Sequence, residues 1–176
     1  MIRVLNNNIQ RFDLNLLLYF AQQNTSRPLL RFFYGLSRFG DGHLYVLWGI
    51  SNILFNREAG LKYFCAGVVA FAIELPVYFL IKKNIKRARP GDLIKGITNL
   101  IVPPDKYSFP SGHTSAAFLM AALVAIQFPM INGFLFAVAG LIGFSRVYLR
   151  VHFPTDVLAG AIIGILSAHA GIWIVF

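Results

Sequence analysis

The chain has 176 residues, 57% of them hydrophobic and only 13% charged, against about 25% charged in soluble domains, and its mean hydropathy is +0.63. These values exclude an ordinary soluble domain. A bilayer-spanning helix needs about 20 mostly apolar residues, so four or five spans use roughly 100 residues and leave short loops in one compact membrane domain. Sixteen Lys and Arg against seven Asp and Glu give a formal charge of +9, which by itself suits anionic headgroups and phosphates as readily as nucleic acid.

The first residues, Met1 to Gln10, carry three consecutive asparagines and no apolar region ending at a small-residue cleavage site, so no removable signal peptide is expected. Leu14 to Phe20 is apolar but runs into Gln22, Gln23, Asn24, Thr25 and Ser26, which argues against a span of its own. After Pro28, the residues Arg27, Arg31 and Arg38 share one line at helical spacing, while Leu29, Leu30, Phe32, Phe33 and Leu36 lie away from it. That pattern predicts an interfacial helix, with one tilted span over residues 12–38 as the alternative. Residues 1–40 therefore form an N-terminal interfacial segment, and residues 41–176 a membrane-embedded domain.

Charges near the centre of a bilayer are costly, so uncharged stretches mark the spans. Gly42 to Asn56 is short and uncharged, and Tyr63 to Ile81 has spanning length with one internal acid, Glu74. No formally charged residue lies between Lys106 and Arg146, enough for two helices turning near Gln127, Phe128, Pro129 and Met130. Val157 to Phe176 supplies the last span. The expected fold is all-α: an integral-membrane bundle of about five spanning helices with an N-terminal interfacial amphipathic helix. Cys65 is the only cysteine and lies in an apolar run, which suggests packing and excludes an intrachain disulfide.

The stretch from Lys82 to Lys106 breaks the apolar rule, with seven basic residues (Lys82, Lys83, Lys86, Arg87, Arg89, Lys95, Lys106) and two acids, and reads as an aqueous loop. If the spans alternate, it shares a face with Ser145 to Asp156, because two helices separate them. Three segments on that face suit phosphate chemistry: Lys82 with Arg89 and Pro90; Pro110, Ser111, Gly112 and His113; and Ser145, Arg146, His152 and Asp156. Singly, each has an ordinary reading as a topology signal, a turn with a helix cap, or a structural pair. Together they supply a nucleophile, an acid for the leaving oxygen and positive charge for the non-bridging oxygens. The backbone N–H groups of Ser111 and Gly112, ahead of a helix expected to begin near Thr114, can face an anion. Arg89 and Arg146 offer planar forks and Lys82 a compact charge.

Glu74, inside a span, is expected to be paired or protonated rather than part of the site. His43 and His169 read as hydrogen-bonded structural residues. Lys83, Lys86, Arg87, Lys95 and Arg150 are at most residues of the lip.

The order and spacing of these segments resemble the three-part signature of the type 2 phosphatidic acid phosphatase superfamily. It matches without departure from residue 82 to residue 156, and each matched position is about a one-in-twenty event by composition. The resemblance implies that residues 41–176 form a phosphatase domain hydrolysing phosphate esters or anhydrides without metal or cofactor, through a covalent phosphohistidine. It makes His152 the nucleophile, with Asp156 holding its other ring nitrogen, and His113 the acid for the leaving group. Lys82, Arg89, Arg146, Ser111 and the Gly112 backbone would hold the phosphoryl oxygens. The implied partners are a lipid phosphate and membrane lipids, not nucleic acid. Undecaprenyl diphosphate is the first choice, with phosphatidylglycerol phosphate, phosphatidate and lipid A phosphate as alternatives. A lipid phosphotransferase and a non-catalytic acidic-lipid-binding protein are the rivals. Counting basic residues would put the site in the cytoplasm. The resemblance favours a bacterial inner-membrane protein with an extracytoplasmic site, whose basic residues serve catalysis and therefore bias the count.

Overall fold

The computed structural model describes residues 7–22 and 26–176. Residues 1–6, which carry most of the argument about a signal peptide, and residues 23–25 of the polar run after Phe20 lie outside the described residues. Among the described residues eight α-helices follow in order: α1 (Asn7–Gln22), α2 (Arg27–Arg38), α3 (His43–Phe55), α4 (Arg57–Ile85), α5 (Pro90–Leu93), α6 (Gly112–Gln127), α7 (Asn132–Tyr148) and α8 (Pro154–Val175). One 3-10 turn (Phe39–Asp41) precedes α3 and another (Pro129–Ile131) joins α6 to α7 at the predicted position.

The ends are set by local chemistry. Ser26 caps α2 by accepting from the Leu29 N–H, and Asn56 caps α4 by accepting from the Ala59 N–H. At its other end α4 runs past the expected Ile81 to Ile85, so Lys82 and Lys83 belong to its last turn and the aqueous stretch starts later than the charges suggested. Lys86 ends the helix in the left-handed region, at φ 50°, while its N–H still bonds the Lys82 carbonyl. Basic side chains at that end also complement the helix dipole.

Helix α4, α7 taken together with the 3-10 turn that leads into it (Pro129–Tyr148), and α8 are long and apolar enough to cross a bilayer. Helices α3 and α6 are apolar but have 13 and 16 residues, about 20 and 24 Å at 1.5 Å per residue. The outer surface carries large apolar side chains, among them Leu47 and Leu54 on α3, Phe79 on α4, and Leu158, Ile162 and Leu166 at four-residue intervals on α8. An apolar exterior of this extent marks contact with lipid. Cys65, expected to be packed inside, is exposed on that exterior.

The core is a close-packed seam of small residues. Helix α8 lies against α6 and α4, and a Cβ added at Gly160, Gly164 or Gly171 would come within 2.5 Å of a backbone oxygen of Ser111, Ser115 or Ala66 respectively. In a membrane, where lipid removes the hydrophobic drive for helix association, such close backbone approach is a main source of cohesion. Helices α1 and α2 do not stand apart from this bundle: α2 packs on α7, and α1 on α7 and α8. Each turns buried residues inward, Asp13 and Leu17 from α1 and Phe33 and Ser37 from α2.

Candidate active site

At one end of the bundle the C-termini of α4 and α7 meet the N-termini of α6 and α8, and the eight residues singled out in the sequence lie in this region. Lys82 is on the last turn of α4, Arg89 just before α5, and Arg146 near the end of α7. Ser111, Gly112 and His113 open α6, His152 lies in the α7–α8 turn, and Asp156 is in the first turn of α8. Lys82, Arg89, Ser111, Arg146, His152 and Asp156 are buried, so their polar atoms require partners.

His152 is fixed from both its backbone and its ring. The Val151 and His152 N–H groups both donate to the Arg146 carbonyl at 3.2 Å. Nδ1 stands 2.7 Å from the Ser108 carbonyl oxygen, whereas Asp156 Oδ2 is 3.7 Å away. The hydrogen bond expected from Asp156 is thus made by a backbone carbonyl, with the carboxylate at ion-pair distance behind it. A carbonyl only accepts, so Nδ1 carries the hydrogen and Nε2 keeps its lone pair. Burial pushes the His152 imidazole down to about 4; the Asp156 carboxylate opposes this, and the charges of Arg146 and Arg89 add to it. The ring is neutral at neutral pH.

The cations are arranged around an aspartate that the motif reading did not include. Lys82 Nζ stands 2.6 Å from Asp105 Oδ2 and also bonds the Tyr78 hydroxyl. Arg89 donates from Nη2 to Asp105 Oδ1 at 2.7 Å, from Nε to the Asp105 carbonyl at 3.0 Å, and from Nη1 to the Val151 carbonyl at 2.6 Å. The Asp105 side chain is 37% exposed. Burial alone would raise its carboxyl, but the hydrogen bonds and charges of Lys82 and Arg89 hold it below the usual carboxylate range.

Arg146 differs from the other two. It is 2% exposed, donates from Nη1 to the Ser37 hydroxyl, and its buried Nε has no partner. Among the described residues no carboxylate lies within ion-pair distance of it. A buried guanidinium without a counter-charge is costly, and an anion in this region relieves it.

At the start of α6, Ser111 does not offer its backbone N–H to an anion as the sequence suggested. That N–H donates to the Asp156 carbonyl at 3.0 Å, and the Ser111 hydroxyl pairs with that of Thr114 at 2.8 Å. The helix begins at Gly112, two residues before the expected Thr114, which leaves first-turn N–H groups without intrahelical acceptors. A Cβ at Gly112 would press on the Tyr78 ring at 3.1 Å. His113 is at the rim, with Nε2 2.9 Å from Asp41 Oδ1.

Several participants escaped the sequence reading. Arg87, assigned to the lip, has an 11% exposed side chain that bridges Asp13 and Asp156. Asp41, Asp105, Ser37, Ser108 and Asp13 reach the site from four different segments. Lys83, Lys86 and Lys95 are exposed as expected of a lip, while Arg150 ties α1 down by donating to the Ala21 carbonyl at 3.0 Å. His43 and His169, expected to be hydrogen-bonded through their rings, are exposed, and their side chains make no hydrogen bond among the described residues. Glu74 is buried in α4, eight residues before Lys82.

Residues 62–176 match the family model of the PAP2 superfamily. The chain is 30% identical over 132 residues to an undecaprenyl-diphosphatase of Sulfolobus acidocaldarius, covering 73% of this chain and 62% of that protein, so it spans less than two thirds of this relative's length. Its fold superposes on the crystal structure of LpxE from Aquifex aeolicus with a TM-score of 0.81 at 30% identity, covering 92% of this chain and 94% of that one. It also matches a transmembrane PAP2-type phosphatidylglycerolphosphate phosphatase from Bacillus subtilis, with a TM-score of 0.75 at 25% identity, covering 96% and 87% of the two chains. Fold and relatives together define an all-helical integral-membrane protein of the kind that PAP2 phosphatases form. The chain belongs to the PAP2 superfamily.

Proposed function

We propose that this protein hydrolyses a phosphate monoester or diphosphate of a membrane lipid through a phosphohistidine on His152. The observation that carries this reading is the buried guanidinium of Arg146, which has no carboxylate partner among the described residues, while the Arg146 backbone carbonyl anchors the His152 backbone. Nε2 of the neutral imidazole attacks phosphorus, and the bond from phosphorus to the lipid oxygen breaks as His113 protonates that oxygen. Water then gives a proton to His113 as its oxygen attacks the phosphohistidine. The P–N bond breaks, inorganic phosphate leaves and Nε2 is restored. Lys82, Arg89, Arg146, the Ser111 hydroxyl and the Gly112 backbone hold the phosphoryl oxygens, with their effect greatest where charge develops. Three cationic side chains supply the charge stabilisation that a metal would otherwise provide, so the reaction needs no metal. Asp156 and Ser108 orient the nucleophile.

The division into an N-terminal interfacial segment (residues 1–40) and an embedded phosphatase domain (residues 41–176) fits this reading, with α1 and α2 lying over the site end of the bundle. Helix α6, about 24 Å long against a hydrocarbon core of about 30 Å, carries the site near the depth of lipid headgroups. We place the protein in a bacterial inner membrane with this face extracytoplasmic. Cysteines introduced as Lys95→Cys and Arg57→Cys test the orientation by impermeant labelling, and labelling of Lys95→Cys only from the cytoplasm reverses it.

The substrate we favour is undecaprenyl diphosphate, supported by the similarity to an enzyme of that name. The deciding assay is phosphate release by purified protein in detergent with chelator, on undecaprenyl diphosphate, phosphatidylglycerol phosphate, phosphatidate and a lipid A phosphate. Fastest release from the diphosphate, unchanged by chelator, is the expected result. Loss of release with chelator overturns metal independence, and transfer of phosphate to a second lipid without release makes the protein a phosphotransferase.

Asp41→Asn provides an independent check on the acid. It leaves the shape of the rim but removes the charge 2.9 Å from His113 Nε2. The expected loss in kcat is about 10²-fold, the lower range for general acid–base catalysis, with little change in KM. An Asp41→Asn enzyme with wild-type kcat removes Asp41 from the reaction.

A further inference from the structure

The buried contact between α1 and the site has no place in the chemistry described above. Asp13, fully buried, accepts through Oδ1 from the Thr155 N–H at 3.0 Å and through Oδ2 from Arg87 Nη2 at 2.6 Å and from the Thr155 hydroxyl. Arg87 Nη1 reaches Asp156 Oδ1 at 2.6 Å and Thr155 Oγ1 at 2.8 Å, and the guanidinium lies 4.0 Å from the centre of the Phe153 ring. The other Asp156 oxygen, Oδ2, accepts from the Phe153 N–H at 2.8 Å and is the oxygen 3.7 Å from His152 Nδ1. Every oxygen of the two carboxylates is thus fixed, and one guanidinium spans both.

We propose that Asp13 and Arg87 form a buried clamp that positions Asp156, and through it His152, making α1 part of the catalytic apparatus. The inference rests on the reading of His152 as nucleophile. An attachment of α1 alone would not require these charges: Leu17, fully buried against Ile97, Val147 and Phe153, already docks the helix. Buried ion pairs generally hold elements together no better than apolar packing. What distinguishes this pair is its target, the carboxylate beside the nucleophile.

The charges around His152 make the test directional. Asp156 stands beside it; Arg87, Arg89, Arg146 and Lys82 surround the pair on the positive side, and Asp13 and Asp105 lie beyond them on the negative side. In Arg87→Met the Asp156 charge loses its compensation, His152 holds a proton more tightly, and the acid limb of kcat/KM moves to higher pH by about one pH unit. In Asp13→Asn the Arg87 charge is left to Asp156 alone, and the limb moves to lower pH.

Kinetics of the full chain in detergent, on the lipid phosphate that it turns over fastest, test the clamp. Arg87→Met is expected to lose about 10²-fold in kcat and Asp13→Asn about tenfold, the range for groups that orient a reacting side chain without touching the substrate, with KM within about twofold. Arg87→Lys keeps the charge but not the fork, so it restores the limb and only part of kcat; it also serves if Arg87→Met does not fold. Leu17→Ala, which loosens α1 without touching the charges, lowers Tm and leaves the limb in place. If Asp13→Asn keeps the wild-type limb, and Asp13→Asn and Arg87→Lys both keep wild-type kcat while losing stability, as Leu17→Ala does, the clamp is only structural and the proposal fails. If His152→Ala still turns over, the nucleophile reading falls and takes the clamp with it; an inactive His152→Ala beside unmoved limbs removes the clamp alone.

Discussion

Replacing His152 with Ala is expected to lower turnover by at least about 10⁴-fold, the scale seen when a covalent nucleophile is removed. The variant retains Lys82, Arg89 and Arg146, so lipid phosphate still binds, and the loss falls on kcat rather than on affinity. His113 also remains, but without Nε2 of residue 152 the phosphoryl group has no covalent acceptor. The Ser108 carbonyl loses its partner at 2.7 Å, which lowers stability by about 1 kcal/mol or more. A Tm reading therefore separates misfolding from lost chemistry. Single turnovers with labelled lipid phosphate, quenched in alkaline denaturant, should show a base-stable, acid-labile phosphoprotein in the wild type and none in the variant. Residual turnover within tenfold of wild type would sink the mechanism. In the wild type, an imidazole held near 4 is a free base above that pH. The limb due to the nucleophile should accordingly lie well below the usual histidine value of about 6.5.

The parts of this architecture legible in the sequence are those that repeat locally. Uncharged runs located α3, α4, α6, α7 and α8 because charge is excluded from hydrocarbon over distances of a single helix. The eight candidate positions could be picked out together because three short segments hold them at fixed spacing. Most of their partners could not, since these come from remote segments: Ser37 meets Arg146 across 109 positions, Asp41 meets His113 across 72, and Asp13 meets Thr155 across 142. One signal was nevertheless present. The chain has seven acidic residues, and Asp13, Asp41, Asp105 and Asp156 all bond basic or histidine groups of the site. In so basic and apolar a chain, an acid beside a span is worth tracing to a cation. The use of the Ser111 N–H by the Asp156 carbonyl could not be foreseen, because it depends on how closely α8 approaches α6, and hydropathy carries no record of that distance.

That approach gives the second large expectation. In a helix interior Gly→Ala ordinarily stabilises by about 1 kcal/mol, yet Gly164→Ala should do the reverse. A Cβ on residue 164 would lie 2.1 Å from the Ser115 carbonyl oxygen and 2.9 Å from the Leu119 nitrogen. Both are backbone atoms of α6, so no side-chain rotation relieves the clash, and α6 and α8 must move apart. Overpacking of this kind costs about 1–3 kcal/mol or more, or roughly 2–4 °C of Tm per kcal/mol for a chain of this size. The same movement strains the 3.0 Å bond between the Ser111 N–H and the Asp156 carbonyl, which ties the start of α6, with Gly112 and His113, to the start of α8, with Asp156. Displacement of reacting groups by about 1 Å can cost about 10² in rate, so kcat should fall together with Tm. Gly140→Ala is the matched control: it lies within α7 with nothing within 4 Å of the added carbon, and should leave kcat unchanged and Tm equal or higher. Wild-type Tm and kcat in Gly164→Ala would show that the two helices can part without consequence, and the seam would then not be what holds His113 and Asp156 in register.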